Sequence, residues 1–172
     1  MNSIFKRRSI RKYEEKPVEN EKIHLLLKAA MSAPTARNQR EWEFVVVTDP
    51  EILRELSQAS PYAKPTAAAP LAIVPLANIE RMNGTAYLEQ DLGAAVENIL
   101  IEAEELGLGA VWMGIMPREE RMARVSEVLK LPEHVVPFAI VAVGYPAEVR
   151  EAGERYEEER VHYNMYGIKM KK

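Results

Sequence analysis

Apolar positions recur at helical spacing in three long stretches of the chain and at strand spacing in four shorter ones. From about Asn20 to Met31, the residues Ile23, Leu26, Leu27, Ala30 and Met31 fall on one stripe, which predicts a helix with Asn20 as its cap. From about Ala86 to Leu106, Leu92, Ala95, Val96, Ile99, Ala103 and Leu106 form a stripe, while Leu88, Ala94 and Ile101 populate a different side. A helix apolar on more than one face is covered from more than one direction. In so small a domain the second cover is either a second copy of the chain, in an isologous dimer, or the core of a monomer. Glu97 and Asn98 on this helix need partners in either arrangement. A third helix spans Arg118 to Lys130, with Met122, Val125, Val128 and Leu129 on one side and Pro132 beyond its end. Asp49-Pro50 caps a short fourth one carrying Ile52, Leu53 and Leu56.

The strand signals are Glu43–Thr48, Pro70–Leu76, Leu108–Ile115 and Val135–Val143, the last being the most apolar and expected at the sheet's centre. The prolines flanking the second suit the ends of a strand. Gly107 reads as a left-handed helix cap, and Asn83-Gly84 is a turn signal within the polar 78–85 segment. Helices of uneven length between strands argue against a regular doubly wound sheet. The expectation is a single α+β domain over 1–172, with a central mixed sheet of four to five strands flanked by helices.

Composition narrows the chemistry. The 172 residues contain no cysteine, which removes disulfides, thiolate metal sites and cysteine nucleophiles and suits a cytoplasmic protein. His24, His134 and His162 stand far apart without ligand spacing. No run of about 18 apolar residues marks a membrane span, and no apolar segment follows the basic N-terminus as a signal peptide requires. Nucleotide-binding glycine motifs, a nucleophile elbow and metal-ligand clusters are all absent.

Two stretches carry the remaining chemistry. Lys6-Arg7-Arg8-Ser9-Ile10-Arg11-Lys12-Tyr13 concentrates five cations in a chain whose formal net charge is -3. Arginine forks with a serine hydroxyl make a compact anion site, of which phosphate is the natural occupant. The alternative is a solvated basic arm or one lying on nucleic acid. Ser32–Trp42 is a glycine-free loop whose Thr35, Asn38 and Gln39 offer amide and hydroxyl groups that either read a heterocycle edge or satisfy the loop's own backbone. The tail from about Ala147 is highly charged, yet Tyr163, Met165, Tyr166, Ile168 and Met170 give it apolar handles.

These stretches share more than chemistry. Arg7-Arg8-Ser9-Ile10-Arg11-Lys12-Tyr13 resembles the R-R-S-I/V-R-x-Y/F signature of the nitroreductase family of flavoproteins. Ala33, Pro34, Thr35, Asn38, Gln39 and Trp42 resemble its A-P-S/T-x-x-N-x-Q-P-W signature, except that Arg40-Glu41 occupies the region of the usual proline. Leu108-Gly109-Ala110-Val111-Trp112-Met113-Gly114 resembles its G-L-G-x-x-W-x-G element, and Arg160-Val161-His162-Tyr163-Asn164 its closing element. The signatures span nearly the whole chain in the family's order, and the short 78–85 segment makes it resemble a minimal member.

The resemblance implies a nitroreductase-like fold, a homodimer with the long helix at its interface, and FMN held between the subunits. The tail from about 147 to 172 would wrap onto the partner. Arg7 and Ser9, with Arg160 and with Arg8 nearby, would grip the FMN phosphate. Arg11 would approach the flavin N1–C2=O edge. Pro34, Thr35, Asn38 and Gln39 would line the ring from the other subunit, and backbone N–H groups at Gly114 and Ile115 would face N5. Trp112 reads as core, and Gln90 as a candidate for the substrate mouth. The implied activity is oxidoreduction: NADH or NADPH reduces the flavin, then a nitroaromatic, quinone or similar small-molecule acceptor reoxidises it, in ping-pong order and with no catalytic side chain. No nucleic acid or membrane is expected as a partner. Alternatives keep the flavin but change the reaction (reductive dehalogenation or flavin breakdown), or make the chain a non-enzymatic flavin-binding or nucleic-acid-binding module.

Overall fold

The computed structural model describes residues 2–84 and 86–170. Met1, Thr85 at the end of the polar segment and Lys171–Lys172 at the end of the tail lie outside the described residues. Five strands form one sheet: β1 (Trp42–Val47), β2 (Leu71–Asn78), β3 (Gly109–Gly114), β4 (Val135–Pro137) and β5 (Ala139–Gly144). Their order is β1-β2-β5-β3, and β4 continues alongside β2 where β5 stops. All pairings between these strands are antiparallel; the parallel component of the expected mixed sheet is an isolated bridge between Ser9 and Ala110.

Helices cover both faces, which is why β2 is buried at all eight positions instead of alternating. Side chains that alternate along the strands serve two separate cores. On one face Ile73, Val141 and Val143 meet Leu26 and Ala30 of α2 (Asn20–Met31) and Leu92, Val96 and Ile99 of α4 (Leu88–Glu105). On the other, Val74, Ile140 and Ala142 meet Leu53 and Leu56 of α3 (Pro50–Leu56) and Val125 of α5 (Glu119–Leu129). Each fully buried Leu or Ile of this kind is worth about 1.5–3 kcal/mol. A one-turn helix, α1 (Ser3–Lys6), lies against α4, where Ser3 bonds the Glu105 carboxylate. No helix among the described residues is long and apolar enough to cross a membrane.

The periodicity-derived elements are all present, with informative differences. The strand expected over 135–143 is split at Phe138, whose N–H turns aside to the Pro75 carbonyl at 3.0 Å. This split explains why β2 runs straight through Pro75 to Asn78, against the expectation that its prolines mark its ends. The Phe138 carbonyl, which an N–H at position 75 would have met, accepts from Ile115 and Met116 instead, so the missing donor leaves nothing unsatisfied. At α2 the cap is Glu19, without a side-chain bond, and Asn20 is already helical. Gly107 is left-handed with φ 71° and ends α4 as expected. Glu97 and Asn98 find the partners they require in Arg7 and the Ala29 carbonyl.

The basic run is folded onto the sheet. Its Ile10 N–H donates to the Ala110 carbonyl at 3.0 Å, and Ile10 and Tyr13 are buried while Arg11 and Lys12 face outward. The Tyr13 hydroxyl lies 2.6 Å from the Ile10 carbonyl and 3.2 Å from that of Ala142. Gly109 makes the approach possible, because a Cβ there would stand 2.7 Å from Ile10.

Candidate functional site

Strand β3 lies at the sheet's margin, so half of its backbone groups have no strand to pair with. The bond from the Ile115 N–H to the Phe138 carbonyl sets the alternation: odd-numbered residues face β5, and Ala110, Trp112 and Gly114 face the open edge. The N-terminal run covers this edge at Ala110 and then turns away at Arg11. Beside Trp112 and Gly114 a cavity of about 480 Å³ remains, with Arg11, Arg118, Arg121 and Tyr62 on its walls. Arg121 donates to the Gly114 carbonyl at 3.2 Å, its guanidinium stands 5.8 Å from the Tyr62 ring centre, and its Nε is buried without a partner. The Gly114 N–H therefore points into a cavity ringed by cations. Ile115, paired with it in the sequence reading, is fully buried and its N–H is taken by Phe138. Trp112 is not core: it is 38% exposed on the cavity wall and its ring leans on Phe138 at 5.7 Å.

The other cations of the run divide their work. Arg7 forms an ion pair with Glu97 of α4 at 3.5 Å. Arg8 is committed to carbonyls, reaching Phe5, Arg7, Glu151 and Gly153, and so ties the beginning of the tail to the N-terminus. Glu148 completes this tie by accepting the Arg11 N–H at 2.7 Å. A second cavity, about 420 Å³, opens between these segments and is lined by Phe5, Arg7, Arg8, Arg155 and Tyr156. Arg160 is not among its walls; it pairs with Glu157 at 2.5 Å and its side chain is 76% exposed. Arg155 is therefore the tail cation that joins Arg7 and Arg8 at this cavity. The Ser9 backbone is bridged to Ala110.

The Ser32–Trp42 loop is bent by three non-glycine residues in the left-handed region, Arg37, Asn38 and Arg40, with φ of 55°, 56° and 54°. Each costs about 1–2 kcal/mol, so something must hold the loop in place. Asp91, in the first turn of α4, accepts the Ala36 N–H with both oxygens, at 3.0 and 2.9 Å. The Gln39 amide oxygen accepts the Asn83 N–H at 2.7 Å, and the Thr35 hydroxyl accepts that of Arg40 at 3.1 Å. Asn38 is exposed and bonds the Arg40 guanidinium, and Pro34 and Gln90 are exposed. Beneath the loop Glu41 is 0% exposed with neither carboxylate oxygen bonded to a donor. Burial, and then the adjacent Asp91 carboxylate, push the Glu41 carboxyl above the usual range.

Sequence reasoning missed Arg118, Arg121, Arg155, Glu41 and Asp91. Arg118 and Arg121 carried a usable signal, a cation pair three apart at a helix start just after the glycine-bounded strand. Glu41 carried another, standing where the motif has proline.

Comparison with known proteins matches this geometry to a family. The chain matches the Nitroreductase family over residues 4–80 and 61–145. It is 40% identical over 167 residues to a protein of Archaeoglobus fulgidus provisionally named NADH dehydrogenase/NAD(P)H nitroreductase, covering 94% of this chain and 95% of that one. Its structure resembles that of a provisionally named NADH oxidase from Clostridium acetobutylicum, with a TM-score of 0.94, 47% identity and coverage of 96% and 100%. It likewise resembles an FMN-dependent nitroreductase from Clostridium difficile, with a TM-score of 0.90, 35% identity and coverage of 96% and 99%. The chain belongs to the nitroreductase family of oxidoreductases.

Proposed function

We propose that the protein is an FMN-dependent NAD(P)H oxidoreductase that reduces nitroaromatics, quinones or similar electron-poor small molecules by a ping-pong mechanism, as a cytoplasmic homodimer. The observation that carries this reading is the open edge of β3, where the Gly114 N–H faces a cavity bounded by Arg11, Arg118 and Arg121. The donor set fits FMN. A planar ring with acceptors along one edge matches an outward N–H and neighbouring guanidinium groups, and Gly114 leaves the approach clear, since a Cβ there meets nothing within 4 Å. The unpartnered, buried Nε of Arg121 is a further donor awaiting an acceptor.

When bound, FMN supplies the redox chemistry, accepting hydride from the nicotinamide and returning electrons to the acceptor. The chain's own residues bind and bias it. The Gly114 N–H would hold the ring, and Arg11 would favour its reduced, negatively charged form. Arg7 and Ser9 would hold the phosphate, and Arg160 would join them only from a different placement of the tail than the one in which it pairs with Glu157. Pro34, Thr35, Asn38 and Gln39 would line the ring from the opposite subunit, and Gln90 would stand at the mouth. The half-buried Ala94 and Ile101 on α4 and the exposed Tyr163, Met165, Tyr166 and Ile168 of the tail supply the apolar surface a second copy would cover.

Initial-rate kinetics test the reading. With NADH or NADPH varied against a nitroaromatic or quinone, parallel double-reciprocal lines are expected. Intersecting lines would rule out one shared site, and absence of turnover with every acceptor would rule out the enzyme.

A further inference from the structure

Glu41 and Asp91 are two carboxyl groups buried against each other beneath the strained loop, 0% and 7% exposed. Besides its own backbone N–H, the polar group that Glu41 meets is Asp91, and both acids are acceptors when ionised. Both Asp91 oxygens already accept the Ala36 N–H. A hydrogen bond between the two acids therefore needs a carboxyl proton, which Glu41, outside the Ala36 contact, is placed to carry. Among the described residues no other charge acts on Glu41. Asp91 is the titratable group that acts on Glu41 from α4, and β2 and β4 carry no ionisable residue. Arg40 turns its guanidinium to Asn38, Arg37 turns to the Asn83 carbonyl, and Glu43 is occupied by Asn78 and Arg81.

We infer that Glu41 and Asp91 hold a single proton between them and that this protonated pair is the positioning latch of the Thr35–Arg40 loop. The argument rests on the flavin reading only in what the loop is positioned for. Protonated Glu41 donates to Asp91, Asp91 keeps its grip on the Ala36 N–H, and the left-handed turn persists. Ionised Glu41 places a second negative charge against Asp91 in a site that water does not reach, and the grip on Ala36 weakens. Between the unfolded and folded titration points the native state binds the extra proton, so the latch is complete at low pH and is lost as pH rises. A proline at position 41, as the motif usually has, would carry no proton, so this control belongs to chains with an acid there.

The decisive experiment follows the Ala36 amide resonance, and FMN affinity by quenching of flavin fluorescence, from about pH 5 to pH 9 in the full chain. In the parent protein the Ala36 resonance should titrate, and FMN should bind about tenfold more weakly at the alkaline end. In Glu41→Gln, whose amide donates to Asp91 at every pH, both readouts should stay flat and match the parent's low-pH values. Asp91→Asn, which folds around a neutral partner, should also remove the titration while shifting the Ala36 resonance at all pH values. An Ala36 resonance with the same pH profile in the parent and in Glu41→Gln would overturn the latch. A titrating resonance with pH-independent FMN affinity would overturn its positioning role. If FMN binds neither protein, the flavin reading fails while the Ala36 profiles still decide the latch.

Discussion

Arg121 donates to the Gly114 carbonyl at 3.2 Å, and this bond fixes the direction in which the last peptide of β3 faces the cavity. The other side of that peptide, the Ile115 N–H, is held by the Phe138 carbonyl, so the two bonds anchor it from both sides. The guanidinium thus does for Gly114 what a further strand would do for an interior position.

Arg121→Ala should therefore weaken FMN binding without unfolding the chain. A charge-assisted bond to a carbonyl is worth about 1.5–3 kcal/mol, and partial exposure puts this one at the low end. An affinity loss of about tenfold is expected in a flavin titration, with a melting temperature close to that of the parent.

Arg7 and Arg11 should separate binding from reduction. Arg7→Ala removes a phosphate contact and should raise the FMN dissociation constant while leaving the rate of flavin reduction nearly unchanged. Arg11→Ala should slow reduction by about 10–100-fold, equivalent to about 1.4–2.7 kcal/mol, with a smaller effect on affinity. Stopped-flow reduction and equilibrium binding on the same proteins distinguish the two, and equal effects would refute the division.

Gly109→Ala should couple the sheet to the basic run. The new Cβ would stand 2.7 Å from Ile10, so the run must lift off β3 or the strand must shift. Overpacking of this kind costs about 1–3 kcal/mol, read as a lower denaturant midpoint, and FMN affinity should fall with it. Leu92→Ala, in the core beneath α4, is the control: it should cost about 2–5 kcal/mol with the N-terminal geometry intact.

Removal of the tail from Ala147 onward should leave the two-faced core folded but abolish dimerisation and FMN retention together. Sedimentation of the truncated chain should give a monomer. A truncated dimer that still holds flavin would show that α4 alone makes the interface.

Much of this was legible in the sequence because it is local. The α4 stripe of Leu92, Ala95, Val96, Ile99 and Ala103 is buried as its spacing requires, and Gly107 caps the helix where expected. The meeting of Arg11 and Gly114 was legible only through the family resemblance, since the two come from distant segments, and Trp112, read as core, was not placed beside them. What remained hidden is non-local. The Phe138 break that lets Pro75 sit within β2 depends on which carbonyls Ile115 and Met116 reach. The same break removes Ile115 from the candidate donors. Arg8 reads as a phosphate ligand in the motif, yet four backbone carbonyls claim it, two of them more than 140 positions away. Glu41 looked like a loop residue because the acid it meets, Asp91, stands on another element.

The account stands or falls on whether the edge of β3 holds a flavin. The absorbance spectrum of the purified protein, after incubation with FMN and removal of the free compound, measures this directly. A yellow protein that releases about one FMN per chain on denaturation is the predicted result. A colourless protein that retains no FMN would contradict it.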